Sequence, residues 1–214
     1  MSMTDRRMRN QVVESGDFTS GNKPKIAPLT NSRELFEVYA LAHDYYVNKG
    51  YANPQADGIL VQHPEFDLIP ETRIFLAYFQ EELVGTISIT LDGKKGLPLK
   101  KTYPNTYAVI QTGGRHMAES WRLIVKTSCP QPERVAEALL NKAAEQLLAD
   151  HVQTCFLSTV PPEHIAVCRE SLNTVLLVGN SLPRGTSGSS CALLRWDVEN
   201  LPKHWRDESL TKIA

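Results

Sequence analysis

The sequence predicts a mixed α/β domain, one mixed β-sheet covered by helices, and three observations carry that prediction. Two runs of strand composition, 73–79 and 83–91, flank the short polar turn Gln80-Glu81-Glu82 and read as an antiparallel hairpin. A third such run, Glu119 to Lys126, leads into a long helical pattern from Pro132 to Asp150 and then a strand from Val152 to Val160, a strand–helix–strand unit. That third strand carries a carboxylate and a guanidinium, Glu119 and Arg122. Opposite charges in an apolar strand are costly to bury unless they pair or serve a site.

In chain order, Asn31 can cap a first helix, with Glu34 closing a capping box. Leu35, Val38, Tyr39, Ala42 and Tyr45 then form one apolar face, and the helix ends near Gly50. Residues 51–71 hold Pro54, Gly58, Pro64 and Pro70 and read as loop with a short turn of helix; connections this long often cover binding sites. Asp92-Gly93 ends the second hairpin strand, Gly96-Leu97-Pro98 lies in a loop, and Tyr103 to Gly113 carries a short helix. In the long helix, Pro132 suits the first turn, and Val135, Ala138, Leu139, Ala143, Gln146 and Leu147 mark the inner side. Pro161-Pro162 opens another helix to about Asn173. Thr174 to Val178 and Ser190 to Val198 are the last strands, joined by a Gly/Ser/Pro-rich loop at 179–189.

With 214 residues, 42% of them hydrophobic and 22% charged, the chain can build one sizeable core. The domain is expected over 26–205, with a flexible arm at 1–25 and a tail at 206–214. Arg6, Arg7 and Arg9 in the arm read as a solvated basic strip, with docking of an acidic partner as the alternative. A formal net charge of −1 offers no reason to expect nucleic acid or an anionic membrane as partner. Cys129, Cys155, Cys168 and Cys191 are scattered without metal-site spacing and read as reduced thiols of a cytoplasmic protein. No run approaches the ~20 apolar residues of a membrane helix, and no hydrophobic leader is visible, so an integral membrane protein is not expected.

The order of elements is similar to that of the GNAT (Gcn5-related N-acyltransferase) fold, and several motifs go further. They are Tyr45-Tyr46-Val47-Asn48-Lys49-Gly50-Tyr51, Phe66-Asp67-Leu68-Ile69-Pro70-Glu71-Thr72, Val84-Gly85-Thr86, Asp92 and Gly96-Leu97-Pro98. Gly114-Arg115, Ala118-Glu119-Ser120-Trp121-Arg122 and the closing Ala192-Leu193-Leu194-Arg195-Trp196-Asp197 follow. On these pieces the chain, over residues 30–200, resembles the N-acyl amino acid synthases of that fold, relatives of the acyl-homoserine lactone autoinducer synthases. The resemblance implies transfer of a fatty acyl group from a thioester to the amine of an amino acid or related compound. It implies a donor carried by acyl carrier protein or coenzyme A, no permanently bound cofactor and no metal. It also implies that Glu119 and Arg122 belong to the active region.

The residues fit that chemistry. An incoming amine is protonated near neutral pH and must lose a proton before it attacks. Glu119 can take it, directly or through a water, and Arg122 can clamp the carboxylate of an amino acid acceptor. A backbone N–H at 123–125 can serve the oxyanion, so Leu123, Ile124 and Val125, with Trp121, are candidate substrate contacts. Packing in the core is the alternative for Trp121. Cys129 is expected either to line the thioester tunnel or to act as a small buried hydrophobe. Arg73 is expected to pair with Glu119, hold substrate or lie on the surface. His116 is a reserve general base, and His43 reads as a packed helix residue. Residues at i and i+3 of a strand face opposite ways, so Glu119 and Arg122 share a face only if a bulge intervenes or Glu119 precedes the strand. A structural salt bridge is the alternative role for this pair.

GNAT acetyltransferases cradle coenzyme A pyrophosphate on a glycine-rich loop after this strand. Here that place reads Lys126-Thr127-Ser128-Cys129-Pro130-Gln131-Pro132-Glu133-Arg134: no glycine, two prolines without N–H groups, and an added negative charge. The departure favours acyl carrier protein, whose phosphopantetheine lacks the pyrophosphate. Lys126 and Arg134 are then expected near the pantetheine entry, with Lys94, Lys95, Lys100, Lys101 and Lys142 as a possible basic docking strip or a solvated surface. Autoinducer synthases usually carry an arginine near the end of the second hairpin strand, where this chain has Ser88, Ile89 and Thr90. A lactone-signal synthase and a non-catalytic acyl- or partner-binding relative stand as the alternatives.

Overall fold

The computed structural model describes residues 23–111, 113–160, 162–181 and 191–200. The basic arm with Arg6, Arg7 and Arg9, the expected tail and most of the 179–189 loop lie outside them. The described chain forms one seven-stranded sheet in the order β1-β2-β3-β4-β5-β7-β6. The strands are β1 (Lys25–Pro28), β2 (Thr72–Phe79), β3 (Glu82–Leu91), β4 (Met117–Val125), β5 (Thr154–Val160), β6 (Val175–Ser181) and β7 (Cys191–Asp197). All neighbours are antiparallel except β4 and β5, which are parallel. A parallel pair needs a crossover, and α5 (Pro132–Ala149) supplies it. The mixed sheet expected from the sequence is therefore present.

Of the other helices, α1 (Ser32–Asn48), α2 (Pro64–Asp67), α3 (Leu99–Thr102) and α4 (Pro104–Gln111) precede α5, and α6 (Pro162–Leu172) follows β5. The capping of α1 is as read: Asn31 Oδ1 accepts the Glu34 N–H at 3.0 Å, and Glu34 returns to the Thr30 N–H at 2.6 Å. The expected short turn in 51–71 is α2. Three boundaries differ. β1 was not anticipated, because four residues with two prolines nearby carry too little alternation to announce a strand. The helix expected over 103–113 is α4, and an unanticipated short turn, α3, precedes it, with Pro104 starting the new helix after Tyr103. β6 runs three residues beyond Val178.

Two faces of the sheet are covered by different helices. α5 and α6 bury Val135, Ala136, Leu139, Leu140, Ala143, Leu147, Cys168 and Leu172 against Phe75, Ile87, Ile89, Ala118, Leu123 and Val125. On the other face α1 packs Leu35, Val38 and Tyr39 on Ile74 and Leu76, and Leu41, Ala42 and Tyr45 on Ile124. Gly85 allows the close approach of α5: a Cβ there would sit 3.0 Å from both the Ile124 carbonyl and Val135 Cγ1. Among the described residues no helix is long and apolar enough to cross a membrane.

Candidate active site

β4 decides the geometry. Its register against β3 shifts between Thr86 and Ser88, so Ile87 alone stands opposite both Arg122 and Leu123. The extra residue is a β-bulge, and Arg122 sits in it with φ +55°, the left-handed region that side chains other than glycine rarely adopt. Ala118 before the bulge and Leu123 and Val125 after it join the α5 core. Met117 and Ile124 face the opposite side. The bulge thus places Arg122 on the face of Glu119 and Trp121, as their sharing a site required.

The pair does not form a salt bridge. Glu119 is fully buried, and its two oxygens accept from the Leu99 N–H at 2.5 Å and from the Ser158 hydroxyl. It pairs across the sheet with Phe156, which packs with Leu97, Tyr103, Tyr107 and Met117 in one apolar cluster. Burial pushes its carboxyl up to about 8, with the two hydrogen bonds pulling the other way. Arg122 Nη2 donates to Asp67 Oδ1 at 2.6 Å and to the Gln62 carbonyl at 2.8 Å. Tyr39 donates to the other Asp67 oxygen at 2.6 Å. The guanidinium lies 4.2 Å from the Trp121 ring centre, and Trp121 in turn donates to Thr90 Oγ1 at 3.0 Å and meets His63 edge-on. Burial pulls Arg122 below its ordinary value while Asp67 opposes the shift.

The other candidates are distributed around this pair. Both two-pronged faces of a guanidinium use Nη2, and that nitrogen is already engaged by Asp67 and Gln62. Arg122 is therefore a closed anchor for the 62–67 segment, not an open clamp. Arg73 is exposed and donates to the Pro70 and Thr72 carbonyls, with no bond to Glu119. Leu123 and Cys129 pack in the α5 core, Ile124 packs on α1, and Trp121 is buried under Arg122. His116 is exposed, its Nδ1 within 3.1 Å of the His151 carbonyl. Lys95 and Lys101 bind Glu65 and so hold α2 in place, and Lys142 pairs with Glu145.

An open cavity lies farther along β4. Parallel pairing with β5 covers only Met117–Ser120 against Thr154–Leu157, after which the two strands part. At the end of β4 a cavity of about 210 Å³ is lined by Tyr45, Lys49, Val125, Lys126, Thr127, Pro132, Glu133, Ala136 and His164. Helices from both faces wall it, α1 on one side and α5 and α6 on the other, beside the parting of β4 and β5. The Lys126 N–H donates to Val84 O at 2.7 Å, on the β3 side. Strand alternation therefore turns the Val125 N–H toward the gap. Of the predicted substrate contacts only Val125 lines the cavity; Lys126 lines it too, with its ammonium paired to Glu82. Arg134 is exposed on α5, outside the lining.

Sequence reasoning missed Tyr39, Asp67, Ser158, Tyr45 and His164 as site residues. Tyr39 was read only as an apolar periodic position, Tyr45 as such a position and as part of a motif, and Asp67 only as part of a motif. The signal available was a lone acid inside Phe66-Asp67-Leu68, which needs a cation if it is buried.

A parted parallel strand pair, a bulge beside the parting and a backbone donor aimed into it define a GNAT-type fold. The chain belongs to the N-acyl amino acid synthase FeeM family, whose pattern it matches over residues 37–197. It is similar in structure to FeeM, an N-acyl amino acid synthase from uncultured soil microbes. The TM-score is 0.68 at 20% identity, over 89% of this chain and 97% of that one. The acyl-homoserine lactone synthase LasI gives 0.60 at 15% identity, covering 83% and 91%. The GNAT domain of S. lividans PAT gives 0.54 at 18%, covering 81% and 90%. At such identities these superpositions establish the fold. No curated protein matches the sequence.

Proposed function

We propose that this N-acyltransferase moves a fatty acyl group from the phosphopantetheine thioester of an acyl carrier protein to the amine of an amino acid. The observation that carries the reading is the parting of β4 and β5 into a cavity with the Val125 N–H at its head. A thioester carbonyl seated there would have a preorganised donor for its developing oxyanion. At the start of α5, where coenzyme A pyrophosphate would need backbone donors, stand Pro130, Pro132 and Glu133. That favours a carrier-bound pantetheine.

The attacking ammonium must first give up a proton. Glu119 is sealed from any amine, but Ser158 bridges it to the point where β5 leaves β4. In this reading the Ser158 hydroxyl passes the proton to Glu119, whose raised carboxyl is matched to the task near neutral pH. The buried thiols play no part: burial pushes Cys168 up to about 12 and raises Cys155 as well.

The test is to incubate the purified protein with acyl carrier protein or coenzyme A loaded with a long-chain acyl group, and with a set of amino acids. Mass spectrometry should find N-acyl amino acids, formed faster from the carrier protein and suppressed in Glu119→Gln. Equal or greater rates from coenzyme A would overturn the donor choice, and no amide from either donor would overturn the activity.

A further inference from the structure

We infer that His164 is the acid that protonates the departing pantetheine sulfur; this deepens the activity proposed above and rests on it. The two arms of the parted sheet lead to the same cavity. β4 brings Val125 to it, and α6, which begins where β5 ends, brings His164 in its first turn. An acyl thioester whose carbonyl meets the Val125 N–H therefore has its sulfur within the space that His164 also lines. The imidazole stacks on Tyr45, ring centres 6.2 Å apart and planes 18° from parallel, and this fixes its plane beside the cavity.

Other titratable groups around the cavity are Tyr45 and Lys49 from α1, Lys126 after β4 and Glu133 from α5. Lys126 is engaged with Glu82. An imidazole both carries and releases a proton near neutral pH, which suits it to a thiolate leaving group with an ordinary value near ~8.5.

The step balances without any further reagent. The amine nitrogen bonds to the thioester carbonyl carbon, and the C–S bond breaks with its electron pair passing to sulfur. His164 gives sulfur a proton, and the nitrogen releases one of its own. Thioester and amine become amide and thiol.

The test compares His164→Ala and His164→Gln with the unmodified protein on two carrier-free donors that share one acyl chain. One donor is the pantetheine thioester, the other the thiophenol ester, whose leaving group departs without a proton. Thermal melts confirm that each variant is folded, and the glutamine variant keeps bulk against Tyr45. Both variants should lose about 10²-fold or more in kcat on the pantetheine thioester. On the thiophenol ester the loss should shrink to less than about tenfold. Equal losses on the two donors would make His164 a packing residue, and unchanged rates would remove it from the reaction; either result overturns the inference alone. A wild-type protein that acylates no amine from any donor would sink the parent activity as well.

Discussion

Asp67→Ala should leave the Arg122 guanidinium buried without its counter-charge. The two side chains are 0% and 1% exposed, with Nη2 and Oδ1 2.6 Å apart. Arg122 retains the Gln62 carbonyl, a dipole and not a charge, and Nε and Nη1 have no hydrogen-bond partner among the described residues. Removing one partner of a buried pair costs about 3–5 kcal/mol, because the remaining ion stays desolvated. With a urea slope of roughly 2–3 kcal/mol per molar, the unfolding midpoint should fall by about 1–2.5 M. The double change Asp67→Leu with Arg122→Met removes both charges and should recover most of that loss. Urea titrations followed by tryptophan fluorescence would measure all three proteins. A fall of less than about 0.5 M in the single variant would mean that water already reaches Arg122, and the closed-anchor account would be wrong.

Gly85→Val sets a side chain against the Ile124 carbonyl of β4 and the Val135 side chain of α5, so the backbone of β4 and the seat of α5 must both shift to admit it. Overpacking of about 1–3 kcal/mol should lower Tm by roughly 2–12 °C in a scanning calorimeter. Glu119, raised in the folded state, binds a proton there that the unfolded chain has already released above about pH 4.5. Its contribution to stability is therefore full below that pH and is lost as pH rises toward about 8; Glu119→Gln should flatten this decline in melts taken from pH 5 to 9. The same group as base requires kcat/KM to climb toward pH 8, and the climb should keep its midpoint when the acceptor is exchanged for one with a less basic amine. Ser158→Ala should reduce kcat about 10²-fold with little change in KM, in steady-state assays with saturating donor. Glu133→Gln should lower KM for an acyl-CoA donor by about 2–5-fold and leave a carrier-protein donor unchanged.

The sheet and its major helices were legible because periodicity records burial: Leu35, Val38 and Ala42 alternate with polar residues at helical spacing, and the core uses those positions. The need for a bulge was legible as well, from Glu119 and Arg122 standing three apart. What stayed hidden was partnership. Arg122 meets Asp67 across 55 residues of chain, Tyr39 meets Asp67 across 28, and Glu119 meets Ser158 across 39. Nothing local distinguishes a tyrosine that buries its ring from one that also spends its hydroxyl on a distant carboxylate. The cavity was hidden for the same reason: Tyr45, Val125 and His164 come from three elements that only the parted sheet brings together. A motif reading centred on β4 therefore assigned substrate contact to neighbours of Val125 that face the core.

The bulge at Arg122 connects stability to chemistry in a way that either feature alone would not. A residue with a side chain held at φ +55° carries strain of about 1–3 kcal/mol, and a strand that bends there loses its pairing beyond Ser120. A straight β4 would relieve both losses. It would also turn Arg122 toward the apolar core of α5, away from Asp67, and strand two charges; at about 3–5 kcal/mol that outcome is worse than the strain. The ion pair thus holds the strand in its bent form, and the bent form keeps the gap between β4 and β5 open with the Val125 N–H exposed to it. It follows that Asp67 and Arg122 can matter to acyl transfer without touching a substrate. Their conservative variants should lose kcat through closure of the gap, and the loss should track the loss of stability from one variant to the next.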